Sequence, residues 1–227
     1  RVGGDRADRG RPRNRRRPTG PGVLRFALDL LEQAFVQGKG GIEQALELEH
    51  TAQARELLEH VLHRIEPQVA KVWLSVTPAT AAAAPAGYPL LQDREPKQRG
   101  PLAGLAAGLE RLIAEDGNWL VLAPCDTPFL PEDLVERLLA ARRPGLEVVV
   151  AGNSERLHPT CSVWHRDTRA AVDRALAHPR GPGLMALLDT LGHEVVRWGP
   201  ASPPPFHNIN TPADLEAARR WLGDGAC

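Results

Sequence analysis

The stretch Trp119–Pro131, with the sequence WLVLAPCDTPFLP, decides how the rest of the chain is interpreted. Its apolar run from Trp119 to Ala123 predicts a buried strand, and the prolines and polar residues that follow predict a short loop. From Pro131 onward the spacing of apolar residues predicts a helix. Asp126 therefore follows the carboxyl end of a strand, where open α/β sheets bind their ligands.

Two roles are open for Asp126 at this position. A carboxylate there can hold Mg2+ against a phosphate chain, because Mg2+ prefers oxygen ligands and usually takes only one or two from the protein. Aspartate is also common in turns and at helix N-caps, where it binds no ligand. The local pattern alone favours neither role decisively.

Strand-like and helical segments alternate along most of the chain. Strands are predicted at residues 71–76, 89–91, 119–124, 147–152, 158–164 and 194–198. Helices are predicted at residues 45–65, 100–113, 131–139, 167–178, 184–191 and 215–222. This alternation predicts a three-layer α/β/α sandwich with a mostly parallel sheet, formed as a single domain by residues 23–227.

The amino end has a different composition. Residues 1–22 are mostly Arg, Gly and Pro, and we expect them to be disordered because they cannot bury enough apolar surface. Val23–Val36 is predicted to be an amphipathic helix, since Leu24, Leu28, Leu31 and Phe35 share a helical face. The glycine-rich segment 37–41 then breaks that helix.

Charge and cysteine content exclude several classes of protein. The formal net charge is zero, although residues 1–20 hold eight arginines against two aspartates, so the remainder carries six net negative charges. A basic arm can bind nucleic acid, but a solvated tail is the simpler interpretation. The three widely spaced cysteines do not indicate a disulfide framework, and no apolar run reaches the length of a membrane span. We therefore expect a cytoplasmic protein without a membrane partner.

Four motifs together resemble one known family. They are PCDTP at residues 124–128, Gln92-Asp93 followed by GPLAG at 100–104, HPT at 158–160, and FHNINTP at 206–212. In their order along the chain they are similar to the motifs of bacterial molybdenum cofactor guanylyltransferases, and the similarity runs from about Leu57 to Leu222. The resemblance implies a Rossmann-like nucleotidyltransferase that uses Mg2+ to transfer GMP from GTP to molybdopterin. Molybdoenzymes or other proteins of cofactor synthesis are the implied partners.

The resemblance also implies roles for individual residues. Asp126 matches the catalytic carboxylate that holds the metal and GTP, and Asp93 matches a carboxylate that contacts GTP. Asn208 and Asn210 match positions that handle the pterin, where an amide offers a donor and an acceptor without negative charge. Capping of the helix that begins at Thr211 is the alternative role for both asparagines.

The resemblance fails at the amino end. The family begins with an apolar strand and a glycine-rich loop that binds GTP and ends in GG-x-DK. Here Gly40 and Gly41 match the glycines, but Glu43 and Gln44 replace the aspartate and the lysine, and a predicted helix replaces the strand. Two alternatives to an active guanylyltransferase follow: a catalytically impaired or truncated relative that keeps the fold and pterin binding, and a molybdopterin cytidylyltransferase.

Overall fold

The computed structural model describes residues 24–29, 55–76, 80–92, 100–177 and 183–223. Within these ranges one seven-stranded sheet has the strand order β3-β2-β1-β4-β6-β5-β7. The strands are β1 Leu24–Asp29, β2 Lys71–Val76, β3 Leu90–Gln92, β4 Trp119–Pro124, β5 Val148–Gly152, β6 Leu157–His165 and β7 Glu194–Arg197. Only β6 runs antiparallel to its neighbours in this described sheet. The predicted strands at 71–76, 119–124 and 147–152 are confirmed as co-directional.

Helices cover both faces of the sheet. They are α1 at residues 55–65, α2 Pro101–Ala114, α3 Leu134–Ala140, α4 Arg169–Ala177, α5 Leu184–Leu191 and α6 Pro212–Gly223. One apolar cluster joins α1 and α3 to the sheet, and a second joins α2, α4 and α5 to its other face. The three-layer α/β/α sandwich is confirmed.

Strand β4 shows why its sequence does not alternate between apolar and polar residues. Leu120 and Leu122 belong to the cluster under α2, α4 and α5, whereas Val121 and Ala123 belong to the cluster under α1 and α3. Successive side chains of a strand point to opposite faces, and both faces here are covered by helices. A fully apolar run is therefore the expected pattern for a central strand.

The amino-terminal prediction of a helix over Val23–Val36 is wrong for its described part, because Leu24–Asp29 is the strand β1. Its residue Ala27 pairs in register with Trp73 on β2 and with Leu122 on β4, so β1 is the central parallel strand of that half of the sheet. A segment of six residues with four apolar positions is too short to distinguish the helical from the strand period. The open position between β2 and β4 selects the strand.

The carboxyl ends of the parallel strands form one edge of the sheet. Asp29 at the end of β1 lies in register with Pro124 at the end of β4, two residues before Asp126. Helix α2 also begins beside this edge, and its N-cap Gly100 has φ +52°, a conformation that favours glycine. The predicted helix start at GPLAG is confirmed.

Several predictions concern residues outside the described ranges. These are the disordered tail at 1–22, the continuation of the amino-terminal helix beyond residue 29, the glycines Gly40 and Gly41, and the carboxylate of Asp93. Among the described residues, no helix is both long enough and apolar enough to cross a membrane.

Candidate active site

The carboxylate of Asp126 is the centre of the candidate site. It is only 5% exposed, and it lies in the loop between β4 and α3 at the carboxyl edge of the sheet. The amide Nδ2 of Asn208 donates to its Oδ2 at 3.2 Å. On the other side, its Oδ1 lies 3.1 Å from the hydroxyl of Thr127. These two side-chain contacts leave lone pairs of the carboxylate available for a ligand.

Burial controls the electrostatics of this carboxylate. Loss of hydration raises the pKa of Asp126 above its ordinary value, while the hydrogen bond from Thr127 and a backbone hydrogen bond oppose the rise. A buried carboxylate with few compensating charges has a strong electrostatic attraction for a cation. This environment suits a metal ligand better than a solvated turn residue.

Neither cysteine close to this edge is a candidate nucleophile. Cys125 and Cys161 are both buried, and neither forms a disulfide. Burial and the negative charge of Asp126 raise the pKa of the Cys161 thiol far above its usual range, so the reactive thiolate does not form. Cys125 belongs to the apolar cluster that joins α1 and α3 to the sheet.

The segment that carries Asn208 is held against the site by aromatic packing. Phe206 has φ +64°, which is an unfavourable backbone conformation for a residue with a side chain. Its buried ring stacks on His158 with 4.6 Å between ring centroids and meets Trp198 edge-on at 5.3 Å. Strand β6 supplies His158, the first residue of the HPT motif. The packing fixes the turn that directs Asn208 towards Asp126.

Asn210 has a different environment from Asn208. It is exposed, and its backbone N–H donates to the carboxylate of Asp214 at 3.1 Å. That carboxylate also accepts from the N–H of Thr211, whose hydroxyl accepts from the N–H of Asp214, so the two residues form a capping box for α6. Thr211 and Asp214 therefore cap α6, and Asn210 contributes only its backbone N–H. The side chain of Asn208 contacts Asp126 instead.

The sequence motifs identify only some of the residues that meet at this site. Sequence reasoning named Asp126 and Asn208 separately, and the structure places them in direct contact. It missed Thr127, whose only sequence signal is its place after the aspartate in PCDTP. It also missed Asp29, whose backbone lies at the same edge, because β1 was interpreted as a helix.

Asp93 lies outside the described residues, so its contact with GTP stays a prediction, although the strand before it is described. Strand β3 ends at Gln92 and runs parallel to β4, so both strands end at the same edge. β2 and β1 separate β3 from β4, which corresponds to about 14 Å across three strand spacings. A ligand that reached from the end of β3 to Asp126 would have to extend across this edge, and a shared site for Asp93 and Asp126 stays a prediction.

A cavity of about 460 Å³ lies elsewhere, between β3, α2 and α4. Its lining includes charged side chains that pair with each other, such as Arg169 with Asp173 at 2.7 Å. None of Asp126, Thr127 and Asn208 lines it. We place the candidate site at Asp126, because convergent polar groups at a sheet edge indicate chemistry better than cavity volume does.

The donors around Asp126 fit a hard divalent cation that arrives with a phosphorylated substrate. The carboxylate, the Thr127 hydroxyl and the Asn208 amide supply oxygen atoms, which Mg2+-like ions prefer. In the part of the chain that the structure describes, no cluster of three or more His, Cys, Asp or Glu side chains could hold a metal ion. Mg2+ usually keeps water and substrate phosphates among its ligands.

The doubly covered, mostly parallel sheet with a carboxylate at its carboxyl edge defines a Rossmann-like α/β protein with a ligand site at that edge. The sequence profile of the MobA-like NTP transferase domain matches residues 44–195. The chain belongs to this MobA-like NTP transferase family. Members of such families typically use a divalent metal ion.

Curated relatives support the same family over most of the chain. A molybdenum cofactor guanylyltransferase of Acidiphilium cryptum is 35% identical over 179 residues, which is 79% of this chain and 86% of the relative. The protein of the same name from Mesorhizobium japonicum is 37% identical over 172 residues, 73% of this chain and 82% of the relative.

Solved structures share the fold at low sequence identity. The molybdopterin-guanine dinucleotide biosynthesis protein A of Archaeoglobus fulgidus matches with a TM-score of 0.62 and 18% identity over 88% of this chain and 99% of that one. A CMP:2-keto-3-deoxy-manno-octonic acid synthetase matches with a TM-score of 0.61 and 14% identity, covering 89% of this chain and 98% of the other. These similarities establish a Rossmann-like nucleotidyltransferase fold.

Proposed function

We propose that this protein transfers GMP from GTP to molybdopterin, releasing pyrophosphate and forming the guanine dinucleotide form of the molybdenum cofactor. The observation that carries the proposal is the buried Asp126 carboxylate at the carboxyl edge of the sheet, in contact with the segment around Asn208. Relatives with more than 30% identity are named for this activity. Of the two substrates, GTP and molybdopterin, the first is assigned to the Asp126 side of the edge.

We assign roles in this reaction to six residues. Asp126 binds Mg2+ and GTP, and Asp93, Gly40 and Gly41 contact GTP. Asn208 and Asn210 lie at the molybdopterin side. The support for the last assignment is the position of residues 206–210, which follow β7 and return to the edge beside Asp126.

The reaction brings two anions together, and this defines what the residues must do. An oxygen of the molybdopterin phosphate forms a bond with the α-phosphorus of GTP, and the bond from that phosphorus to the β-phosphate oxygen breaks, releasing pyrophosphate. A bound divalent cation would neutralise charge on the phosphates. Asp126 would contribute a carboxylate ligand for this cation, and no protein nucleophile is required.

The cytidylyltransferase alternative concerns the base rather than the chemistry. The purified chain is incubated with molybdopterin, Mg2+ and either radiolabelled GTP or CTP, and dinucleotide formation is measured. We expect product from GTP and little from CTP. Equal or greater transfer from CTP would contradict the guanylyltransferase proposal.

The impaired-relative alternative rested on two observations at the amino end. The missing strand is no longer one of them, because β1 occupies the expected place in the sheet. The replacement of the family lysine by Gln44 remains, and we therefore still expect weak GTP binding. Comparing the parent with Gln44→Lys in the same assay tests this: tighter GTP binding in the variant supports impairment, and equal robust activity contradicts it.

We also propose a cytoplasmic location. The support is the state of the cysteines, since neither Cys125 nor Cys161 forms a disulfide. Proteins that keep free thiols and no disulfide framework are typical of reducing compartments. Fractionation of the native host with detection by antibody would test the location.

A further inference from the structure

The side chain of Asn208 is directed at Asp126 and Thr127. Its Nδ2 donates to Asp126 Oδ2 at 3.2 Å, and its Oδ1 lies 3.1 Å from the hydroxyl oxygen of Thr127. A residue that served only to contact a second substrate would keep both amide atoms available. Here one hydrogen and one lone pair are already committed to the neighbouring carboxylate and hydroxyl.

The hydroxyl of Thr127 lies between the side chains of Asp126 and Asn208. Thr127 is fully buried, and its hydroxyl oxygen is 3.1 Å from Asp126 Oδ1 and 3.1 Å from Asn208 Oδ1. A hydroxyl has one proton, so it donates to one of these acceptors at a time. The ionised carboxylate is the stronger acceptor. When Asp126 Oδ1 turns its lone pair to a cation, the proton can move to Asn208 Oδ1 by rotation about the Cβ–Oγ1 bond alone.

The backbone holds these side chains together independently of their own hydrogen bonds. The N–H of Ile209 donates to the carbonyl oxygen of Asp126 at 2.9 Å. Ile209 also packs with Phe129 and Ala218 in a small buried apolar cluster. Residues 208 and 126 therefore stay adjacent when a side chain is changed, which allows the side-chain contacts to be tested separately.

We propose that Thr127 and Asn208 are positioning residues, which together hold the Asp126 carboxylate in the orientation that binds a divalent metal ion. This inference rests on the metal role of Asp126 in the proposed function. It gives Asn208 a task on the metal side of the site in addition to any contact with the second substrate. Groups that orient a metal ligand typically change metal affinity about 10- to 100-fold when they are removed.

The first test measures Mn2+ binding by electron paramagnetic resonance, with and without GTP, so that its result does not depend on turnover. Thr127→Val keeps the shape of the side chain and removes the hydroxyl, and we expect Mn2+ affinity to fall about 10- to 100-fold. Thr127→Ser restores the hydroxyl and should restore most of the affinity. A merely structural role would give no such rescue at equal thermal stability.

The second test compares the two asparagines. Asn208→Ala removes the donor to Asp126 and should weaken Mn2+ binding about tenfold. Asn210→Ala removes an exposed side chain from the same segment and should leave the Mn2+ affinity unchanged, although it is expected to raise KM for molybdopterin. Combining Thr127→Val with Asn208→Ala should cost less than the product of the two single effects, because both act on one carboxylate.

Each outcome decides a different claim. Parental Mn2+ affinity in Thr127→Val and Asn208→Ala overturns the positioning inference and leaves the proposed function intact. Weakened Mn2+ binding in both variants, together with a parental chain that transfers no GMP, supports positioning and contradicts the proposed function. If the parental chain binds no Mn2+ even with GTP, the metal role of Asp126 and the positioning inference both fail.

Discussion

At the scale of single residues, Asp126 combines burial with incomplete charge compensation. Its partners are a hydroxyl and an amide, which stabilise the ionised form less than a cationic side chain would. Burial accordingly raises its pKa. Such a carboxylate destabilises the empty protein but binds a cation strongly, which is a frequent property of functional sites.

Asp126→Asn is expected to separate binding from folding. The new amide can keep contacts with Thr127 and Asn208, while the charge that a divalent ion requires is lost. Mg2+-dependent GTP binding, measured by calorimetry, should fall more than about tenfold at unchanged or slightly higher stability. Asp116→Asn is the matched control, because Asp116 is exposed and its positive φ also suits asparagine. Equal GTP affinity in parent and Asp126→Asn would refute the assignment.

His158 is a second buried polar residue with an unusual environment. Its ring stacks on Phe206, and its Nε2 has no hydrogen-bond partner among the described residues. Burial, with a smaller effect from the positive charge of Arg156, lowers its pKa from 6.5 to about 4. The folded protein therefore keeps this ring neutral where the unfolded chain protonates it.

This difference predicts an acid-sensitive fold. Between pH values of 6.5 and about 4 the unfolded state binds more protons at His158, so stability is full above this window and decreases as the pH falls through it. From about pH 7 to about pH 5 the loss should approach 2 kcal/mol at 1.36 kcal/mol per pKa unit. His158→Phe keeps a stacked ring and should lose correspondingly less. Urea unfolding at both pH values measures this, and an equal loss in both proteins would contradict it.

At the scale of elements, β1 connects the two halves of the sheet. It pairs with β2 on one side and β4 on the other, so each of its backbone N–H groups lies in a ladder. Edge strand β3, by contrast, has β2 as its one neighbour in the described sheet. A change that removes an N–H should therefore have different consequences in these two strands.

Proline substitutions test this difference. Ala27→Pro in β1 removes a ladder hydrogen bond and should destabilise the protein by about 3 kcal/mol or more. For β3, Leu74 donates to the carbonyl oxygen of Pro89, so in a parallel ladder the N–H of Leu90 points away from β2. Leu90→Pro should be much milder in thermal unfolding. Similar stabilities for the two variants would show that β1 is not a paired central strand.

At the scale of the whole molecule, charge is distributed unevenly along the chain. Residues 1–20 carry six net positive charges and the remainder six net negative ones, so the overall balance is zero. The described core begins with β1 at Leu24. A truncation after residue 22 would therefore remove the arginine-rich segment and keep every described strand.

Two deletions define the boundary of the domain. Removal of residues 1–22 should leave Tm within about 2 °C of the parent, since less than about 1 kcal/mol would be lost. It should also reduce retention on heparin, because six net positive charges are removed. Removal of residues 1–29 also deletes β1 and should prevent cooperative unfolding. A large loss of stability in the shorter deletion would show that the tail is part of the domain.

The sequence by itself determined the fold class and the location of Asp126. Strand β4 is apolar on both faces, and prolines and polar residues follow it directly. The local sequence therefore predicts both the strand and the residue at which it ends. The capping box likewise depends on two residues that lie three positions apart in the chain, Thr211 and Asp214. Such features depend on near neighbours in the chain and can be inferred without the fold.

Only the tertiary structure decided the nature of β1 and the contacts of Asp126. Leu24–Asp29 fits two periodicities, and it becomes a strand because β2 and β4 offer hydrogen-bonding partners on both sides. Asn208 is 82 residues from Asp126 along the chain, so no local pattern reports their hydrogen bond. It forms because the path after β7 and the packing of Phe206 return that segment to the sheet edge.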